Sequence, residues 1–355
     1  MKYLHIMHNE KFNKAYIDFI NKNFNSKEHL FLFLGGSKTI EIPNYPNVIV
    51  GSKKGGLERK INWNSLLFRH GYKSEKIFLH GLWNDKVINF LFINSFLLKK
   101  CNWIIWGGDL YAYKTPKLTF KSRFHEFMRA FCIKRFGGII ALSMGDYGLA
   151  KKWYRTKAKG YQGMYINPVN LEMLDNLEKK EKKEIIIQVG NSADPSNNYE
   201  EVFELIEKFK GENIKIIVPL SYGNKEYAKK INQLGQEIFG NKFEGLMKFM
   251  KPEEYTQHLS SVDILIFNHK RQQGLGNIYA LAYLEKKIYI RDDISSWNFL
   301  KKDLGFEINS TNKIKIMDFK EFIFVNGEKS NKTMALNTVY SEIYIKNLWN
   351  KIFKE

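Results

Sequence analysis

The chain has 355 residues, which is enough for about two domains, and its hydrophobic fraction of 44% excludes an intrinsically disordered protein. Its two cysteines, Cys101 and Cys132, lie far apart without metal-binding spacing, so we expect a reducing cytoplasm and neither a disulfide scaffold nor a structural zinc site. The net charge of +19 is concentrated in the first half, because residues 1–165 carry 28 basic and 10 acidic side chains and residues 166–355 carry 28 and 27.

Short β-rich runs alternate with helical segments along the chain, which is the pattern of a parallel α/β fold. In the first half, the sequence predicts strands at residues 3–8, 29–34, 48–50, 76–80, 102–106 and 138–142, and helices at 11–24, 57–70, 85–99, 120–135 and 145–155. In the second half, it predicts strands at 184–189, 214–219, 243–247, 264–267 and 287–290, and helices at 197–209, 225–239, 252–260, 275–285 and 296–301. Apolar residues at helical spacing predict a last helix at 333–353.

This order of elements predicts two Rossmann-like, doubly wound domains. We place them at residues 1–166 and 184–332, joined by a charged helical linker at 167–183 and followed by a C-terminal helix at 333–355 that packs back across the domains. Ligands of such folds bind at the carboxyl ends of the strands, so we expect a ligand-binding cleft between the domains. The chain starts directly with a predicted strand and has no apolar run long enough to cross a bilayer, so neither a signal peptide nor a membrane span is expected.

Two polar loops after predicted strands of the second half are candidates for binding a nucleotide diphosphate. The segment VGNSADPSNNY offers short polar side chains and free N–H groups at a helix start, although Asp194 or Ser196 could simply cap that helix. The segment FNHKRQQGLGN combines the cation Arg271 with two glycines that let the backbone approach a phosphate, although an ordinary solvated loop is the alternative. The candidate residues are Asn191, Ser192, Asp194, Ser196, Asn197, Arg271, Gln272, Gln273, Gly274 and Gly276.

The segment IIWGGDLY places Asp109 at the end of a predicted strand in the first half, among aromatic residues. A partly desolvated carboxylate in that position suits a general base with a raised pKa, and a clamp on the backbone N–H groups of a turn is an equally open interpretation. His80 ends the preceding strand and is either a second candidate base or a structural histidine. His5 and His8, on and just after the first strand, are weaker candidates.

The helix predicted at residues 120–135 carries phenylalanines on one stripe, with basic side chains around it. The stripe consists of Phe120, Phe124, Phe127 and Phe131, and the basic residues are Lys121, Arg123, Arg129, Lys134 and Arg135. Such a helix lies either in the interface of an anionic membrane or with its aromatic stripe in the protein core. Together with the charge of the first half, it predicts docking of the N-terminal domain on an anionic membrane, although a genome that favours lysine is the alternative source of that charge.

Five segments together resemble glycosyltransferase family 56: HGLWN at residues 80–84, WGGDLY at 106–111, VGNSADPSN at 189–197, VPLSYGN at 218–224 and RQQGLG at 271–276. They follow the family's order, and the resemblance extends over about residues 1–350. It implies the GT-B architecture, in which two Rossmann-like domains face a cleft. The N-terminal domain of that architecture would bind the acceptor, and the C-terminal domain would bind a nucleotide-sugar donor.

The resemblance also implies an activity. It is the inverting, metal-independent and cofactor-free transfer of a deoxy-amino sugar, 4-acetamido-4,6-dideoxygalactose, from a dTDP-sugar to an undecaprenyl-pyrophosphate-linked saccharide. The enzyme would act as a peripheral protein at the cytoplasmic face of the bacterial inner membrane, with Asp109 or His80 as catalytic residues. Through the same segments, Tyr222 joins the donor candidates, and the candidates on the acceptor side are Asn84, Trp106, Gly107, Gly108 and Tyr111.

Two alternatives remain open at this point. A GT-B enzyme with another donor, such as a UDP-sugar, is compatible with the same loops. A non-catalytic nucleic-acid-binding protein would also use a basic first half, but the sequence contains no helix-turn-helix, RNP, KH or zinc signature that supports it.

Overall fold

Each half of the chain folds around its own parallel β-sheet. The computed structural model describes residues 1–37, 40–167, 169, 171–176, 184–327 and 330–355. The chain forms two units, one made of Met1–Pro168 with Glu342–Glu355 and the other of Val169–Ser341. We call them the first unit and the second unit.

All strands run parallel within their sheets. The first sheet consists of β1 (Tyr3–Asn9), β2 (His29–Gly36), β3 (Val48–Val50), β4 (Lys76–His80), β5 (Cys101–Ile104), β6 (Gly138–Ala141) and β7 (Lys159–Gln162), in the order β3-β2-β1-β4-β5-β6-β7. The second sheet consists of β8 (Ile185–Val189), β9 (Ile214–Pro219), β10 (Phe243–Leu246), β11 (Ile264–Phe267), β12 (Lys287–Ile290) and β13 (Asn309–Ser310), in the order β10-β9-β8-β11-β12-β13.

Helices connect the strands in both units. Those of the first half are α1 (Asn13–Asn23), α2 (Gly56–Lys73), α3 (Asp85–Ile93), α4 (Gly108–Tyr111), α5 (Phe120–Arg135) and α6 (Met144–Tyr154). The others are α7 (Leu171–Asp175), α8 (Tyr199–Ile206), α9 (Lys225–Phe239), α10 (Pro252–Ser261), α11 (Leu275–Tyr283), α12 (Ser295–Asn298), α13 (Phe319–Ile323), α14 (Asn331–Asn337) and α15 (Glu342–Lys354). Short 3₁₀ turns extend several of these helices, as at Ser95–Lys100 after α3.

The core of the first unit follows from its topology. Strands β5 and β6 are buried along their whole length, as expected for parallel strands covered on both faces. Apolar side chains of α2, α3, α5 and α6 pack together against the sheet. Aromatic residues of α1 and α15 meet each other, with the rings of Tyr16 and Trp349 5.1 Å apart, and Trp349 also contacts Phe78 of β4. The C-terminal helix α15 is therefore part of the first unit's core.

In each sheet the chain begins at a central strand, builds strands on one side and then crosses to the other side. The crossing places β1 beside β4 and β8 beside β11. Loops that leave neighbouring strands in opposite directions open a crevice at the carboxyl ends of those strands. We call the carboxyl ends of β1, β4 and β5 the first edge, and those of β8 and β11 the second edge. Apart from Tyr222, which follows β9, the candidate residues of both sets lie at the ends of these strands or just after them.

The structure differs from the predicted elements at three places. Strand β7 is not among the predicted strands, because its sequence KGYQ is short and mostly polar. The single helix predicted at 333–353 is wrong, since α14 lies in the second unit and α15 in the first, with a turn between them in which the N–H of Tyr340 donates to the carbonyl oxygen of Ala335. Of the predicted linker at 167–183, α7 belongs to the second unit, and residues 168, 170 and 177–183 lie outside the described residues.

Candidate active site

Asn197 holds the loop after β8 together at the second edge. Its side-chain oxygen accepts hydrogen bonds from the backbone N–H of Asn191, at 3.0 Å, and from Nε2 of His269, at 2.8 Å. Its amide nitrogen donates to the carbonyl oxygen of Asp194, at 2.8 Å, and to Oγ of Ser192, at 3.3 Å. Because Asn197 is fully buried and these contacts use its whole hydrogen-bonding capacity, it shapes the loop and does not face a ligand.

Gln273 joins the loop after β11 to the loop after β8. Its amide nitrogen donates to Oδ1 of Asn191, and its side-chain oxygen accepts from Oγ of Ser196, both at 3.0 Å. The backbone adds a third link, because the N–H of Lys270 donates to the carbonyl oxygen of Ser196 at 3.1 Å. The two loops that the sequence singles out are therefore one connected surface at the second edge.

The helix α11 starts at this surface with two glycines. Gly274 has a φ of +68°, and a Cβ atom there would lie 2.6 Å from the ring of Phe267, so a larger residue does not fit. Gly274 offers no capping side chain, and the N–H of Asn277 donates to the carbonyl oxygen of Gly274, so the N–H groups of Leu275 and Gly276 are the ones left for another acceptor. Gly276 is exposed, and a Cβ atom added to it would meet no atom within 4 Å, so a ligand has open access to the backbone there.

Arg271 is the cation of the second edge. Its side chain is 27% exposed, and its Nη2 lies 3.6 Å from Oδ2 of Asp194. Burial by itself would raise the pKa of Asp194, but hydrogen bonds from Ser196 and the charge of Arg271 outweigh burial and hold that pKa below its usual value. At this distance the carboxylate neutralises the guanidinium only in part, so Arg271 can pair with a further anion.

The donor candidates thus separate into two groups. Ser192 and Asn197 are buried, and their side chains bond each other inside the loop. Tyr222 is 54% exposed, and its carbonyl oxygen accepts from the N–H of Ala193, which ties its loop to the same surface. The candidates with exposed or half-buried positions are Asn191, Asp194, Ser196, Tyr222, Arg271, Gln272, Gln273, Gly274 and Gly276.

Asp109 acts as a clamp at the first edge. Its Oδ1 accepts from the N–H groups of Trp106 and Leu110, at 2.9 and 3.0 Å. Its Oδ2 accepts from the N–H of Leu82, at 3.0 Å, and from Nε1 of Trp103, at 2.7 Å. Burial raises the pKa of Asp109 above its usual value, and the hydrogen bond from Trp103 opposes that rise. With 1% of the residue exposed and both oxygens occupied, the geometry favours the clamp over the general base.

The glycines beside Asp109 allow close packing at the first edge. Gly107 has a φ of +90° just before α4. A Cβ atom on Gly108 would lie 2.7 Å from the Trp83 ring, and one on Gly81 would lie 2.5 Å from its Nε1, so both glycines let this ring approach the backbone. Trp83 is 45% exposed. Asn84 accepts from an N–H in the first turn of α3 and donates to a carbonyl oxygen of β2, which makes it a structural residue of this loop.

A chain of hydrogen bonds runs from the first edge into the sheet. Nε1 of Trp106 donates to the hydroxyl oxygen of Tyr165, at 3.1 Å, and that hydroxyl is hydrogen-bonded to Nδ1 of His80. Nε2 of His80 lies 3.1 Å from Nδ1 of His5, and Nε2 of His5 lies 3.0 Å from Nδ1 of His29. Burial lowers the pKa of His80 to about 3, that of His29 to about 4 and that of His5 well below its usual value, so all three are neutral at pH 7. We call His80, His5 and His29 the imidazole chain.

Three residues of the first edge and of the hydrogen-bond chain behind it are not among the sequence candidates: Trp83, Tyr165 and His29. Trp83 belongs to the segment HGLWN, and an aromatic residue beside a glycine at a strand end is a signal that could have identified it. Tyr165 and His29 carry no local signal, because their partners His80 and His5 are 85 and 24 residues away in the chain. Tyr111 is half-buried, and its ring contacts that of a tryptophan in α6. In the described part of the chain, no group of three or more His, Cys, Asp or Glu side chains could hold a metal ion.

Comparison with protein families identifies the chain. A family model described as 4-alpha-L-fucosyltransferase, glycosyl transferase group 56, matches residues 4–317. The chain belongs to glycosyltransferase family 56. The predicted membership of this family is confirmed, and the protein is an enzyme that uses a nucleotide-sugar donor.

Solved structures show the same fold at low sequence identity. A glycosyltransferase from Rickettsia africae is 11% identical, with a TM-score of 0.67 over 99% of this chain and 97% of its own. HepE from Anabaena, solved in complex with UDP and glucose, is 11% identical, with a TM-score of 0.68 over 100% of this chain and 99% of its own. Sucrose-phosphate synthase from Thermosynechococcus elongatus is 9% identical, with a TM-score of 0.66 over 100% and 98% of the two chains. The predicted GT-B fold of this family 56 glycosyltransferase is thereby confirmed.

Proposed function

We propose that this enzyme transfers 4-acetamido-4,6-dideoxygalactose from a dTDP-sugar to a saccharide on undecaprenyl pyrophosphate, with inversion and without a metal ion. The sugar and the lipid-linked acceptor come from the resemblance of its motifs. The second edge carries the donor part of the proposal, because Gln273 holds two loops together beside Arg271 and the uncapped start of α11. A cation next to free N–H groups at a helix start suits a diphosphate.

The same residues fit the departure of the leaving group. When the bond between the anomeric carbon and the phosphate oxygen breaks, negative charge develops on that oxygen. Arg271 and the N–H groups of α11 would stabilise this charge, which is the electrostatic role of a metal ion in other transferases. Turnover by the purified enzyme should therefore be unchanged by a chelator such as EDTA. Loss of turnover in EDTA, with recovery on adding Mg²⁺, would contradict the metal-independent part of the proposal.

The acceptor hydroxyl becomes strongly acidic as its oxygen bonds to the anomeric carbon, so even a base whose pKa is about 3 can take its proton, and we assign this role to His80 acting through Tyr165. Asp109 is buried with both oxygens occupied, whereas Tyr165 is half-buried at the first edge and bonds Nδ1 of His80. General-base catalysis is worth about 10²–10⁴ in rate. His80→Gln should lose turnover by about that factor while its affinity for the donor nucleotide stays unchanged.

A UDP-sugar is the second candidate donor, because HepE, a neighbour with the same fold, is solved with UDP and glucose. Thermal-shift measurements with dTDP, UDP and GDP separate the two. A nucleotide at 100 times its dissociation constant stabilises its protein by about 2.7 kcal/mol. We expect dTDP to raise the melting temperature most. A larger rise with UDP would favour the UDP-sugar as donor. If none of the three nucleotides raised the melting temperature, the result would contradict a nucleotide site at the second edge.

The first unit carries an exposed aromatic and basic face that we propose docks on an anionic membrane. Phe120, Phe124 and Phe127 on α5 are 85%, 48% and 58% exposed, so this part of the stripe lies outside the core. Phe92 of α3 continues the row, with its ring 6.2 Å from that of Phe127. Exposed basic side chains accompany the row at Lys121, Arg123, Lys134 and Arg135.

One predicted member of this basic surface is wrong. Arg129 is 3% exposed, and it donates to the hydroxyl of Tyr154 and to the carbonyl oxygen of Asp109, so it belongs to the core. No helix in the described ranges is long and apolar enough to cross a membrane. Attachment in the proposal therefore relies on cations near anionic headgroups, worth about 1 kcal/mol each, and on shallow insertion of the phenylalanines.

Vesicle sedimentation tests the docking proposal. Replacing Lys121, Arg123, Lys134 and Arg135 with Gln should weaken binding to anionic vesicles, and raising salt should release the wild type, since the Debye length falls from about 10 Å at 0.1 M to about 3 Å at 1 M. The matched control removes four exposed lysines of the second unit: Lys225, Lys229, Lys248 and Lys302. Equal loss of binding in both variants, or salt-independent binding to neutral vesicles, would contradict the proposed face.

A further inference from the structure

The imidazole chain can satisfy its hydrogen bonds in only two ways. A neutral imidazole has one N–H donor and one bare nitrogen, so in a chain of three the proton position on one ring fixes the other two. In one direction, Tyr165 donates to Nδ1 of His80, and His80 and His5 donate from Nε2 to the next ring. In the other direction, His29 and His5 donate from Nδ1, and His80 donates from Nδ1 to the oxygen of Tyr165.

Because of Trp106, Tyr165 can accept a proton in only one of the two directions of hydrogen-bond donation. An indole N–H can only donate, and that of Trp106 already occupies one lone pair of the Tyr165 oxygen. If His80 donated to the same oxygen, both lone pairs would be used and a substrate hydroxyl would find no acceptor. When Tyr165 instead donates to His80, one lone pair of its oxygen remains for a substrate hydroxyl.

We propose that His5 and His29 are positioning residues that hold His80 in the Nε2–H form, so that Nδ1 of His80 receives the proton of the acceptor hydroxyl through Tyr165. This inference rests on the proposed function. The acceptor proton moves to the Tyr165 oxygen as the Tyr165 proton moves to Nδ1 of His80. The acceptor oxygen bonds to the anomeric carbon, and the electron pair of the broken carbon–oxygen bond leaves with the diphosphate. Protonated His80 then donates to both Tyr165 and His5, and it returns its proton to solvent through Tyr165 after the product leaves.

The surroundings of the chain suit a neutral partner behind His80. The ring of His5 stacks on Phe31 and Phe78, with centroids 4.7 and 5.0 Å apart, and it is fully buried. Tyr16 of α1 contacts the His80 ring at 5.0 Å, and α15 covers His29 with the ring of Phe353 at 4.8 Å. A carboxylate in the place of His5 would bring an uncompensated charge into this apolar region, whereas an imidazole fixes the tautomer of His80 without one.

The tautomers can be read directly in the wild-type protein. Two-bond ¹H–¹⁵N spectra of full-length enzyme labelled with ¹⁵N-histidine distinguish a protonated ring nitrogen from a bare one. We expect His80 and His5 to carry the proton on Nε2. A proton on Nδ1 of His80 would overturn the inference whatever the donor sugar is, because this measurement needs no substrate.

Two substitutions at His5 then separate positioning from packing. His5→Leu cannot accept from His80, whereas the amide of His5→Gln can accept from His80 and donate to His29. We expect His5→Leu to lower kcat by about 10- to 100-fold, the usual cost of losing a partner that orients an imidazole, with unchanged affinity for dTDP, and His5→Gln to restore most of the rate. His70→Gln in α2 is the control that should keep wild-type kcat, and thermal melting of each variant reports folding.

The outcomes distinguish this inference from the proposed function. Wild-type kcat in a folded His5→Leu variant, with kcat lost in His80→Gln, would overturn the positioning role and leave the proposed function standing. Wild-type kcat in His80→Gln would overturn the assignment of His80 as proton acceptor itself. Failure of His5→Gln to exceed His5→Leu, in variants of equal melting temperature, would also overturn the positioning role.

Discussion

The two edges share a topology and differ in where they keep their polar groups. At the first edge, Asp109 and His80 are buried to within 2% exposure and are hydrogen-bonded by protein partners. At the second edge, Asn191, Gln273 and Arg271 are half-buried, and they connect two loops at the surface. The same topology, a central strand beside a crossover, therefore places the polar side chains inside the sheet in one unit and across the loops in the other.

This contrast assigns a different task to each edge. A buried, neutral hydrogen-bond chain holds the hydroxyl of the half-buried Tyr165 in a defined orientation without adding charge. The second edge, by contrast, is suited to reversible binding of an anion. Its surface loops carry a partly neutralised arginine and a glycine-rich helix start. Substitutions at the first edge should consequently affect stability and turnover, whereas substitutions at the second edge should affect ligand affinity with little effect on stability.

The largest effect is expected from Asp109→Asn. The new amide nitrogen would face two N–H donors that now bond one carboxylate oxygen, and both would be left buried without an acceptor. Each such loss costs about 1.5–3 kcal/mol, so urea denaturation should show a free energy of unfolding lower by about 3–6 kcal/mol. If the variant kept wild-type stability and lost only turnover, the result would contradict the role of Asp109 as a clamp and support its role as general base.

The buried histidines should make the first unit sensitive to acid. The unfolded chain protonates histidine below about pH 6.5, whereas folded His29 stays neutral down to about pH 4. Between these values the unfolded state binds more protons, so the free energy of unfolding falls as the pH falls, by about 3 kcal/mol from His29 alone. Denaturation curves between pH 7 and 4 should therefore be flatter for His29→Phe than for the wild type. Parallel curves for the two proteins would show that His29 does not have this lowered pKa.

The smallest expected change in stability comes from Gly276→Ala at the second edge. A Cβ atom at Gly276 meets open space, so an alanine in the first turn of α11 should stabilise the fold by about 0.4–1 kcal/mol. The same methyl group would stand where the backbone faces the ligand, so nucleotide affinity should fall. Gly148→Ala on α6, where a Cβ atom also meets no neighbour, is the matched control that should gain stability and keep its affinity. Unchanged affinity in Gly276→Ala would place the nucleotide away from the start of α11.

The elements and loops were predictable where the signal is local, and the contacts were not. The two donor loops follow apolar strands and contain the glycines and Arg271 within a few residues, so the sequence marks them directly. The role of Asp109 stayed open because its burial does not show in the sequence and one of its four partners, Leu82, is 27 residues away. The imidazole chain depends on the register of three strands, since parallel pairing sets His5 opposite Phe31 and Phe78, and no single segment reveals it. The break between α14 and α15 carries neither a glycine nor a proline that would mark it.

Calorimetric titration of dTDP into three proteins tests the division between the two edges most directly. Arg271→Gln loses a charge-assisted hydrogen bond, so it should bind dTDP at least about tenfold more weakly than the wild type. His80→Gln should bind dTDP as the wild type does, although its turnover is lost. Wild-type affinity in Arg271→Gln, or weakened affinity in His80→Gln, would contradict the account in which the second edge binds the diphosphate and the first edge receives the proton.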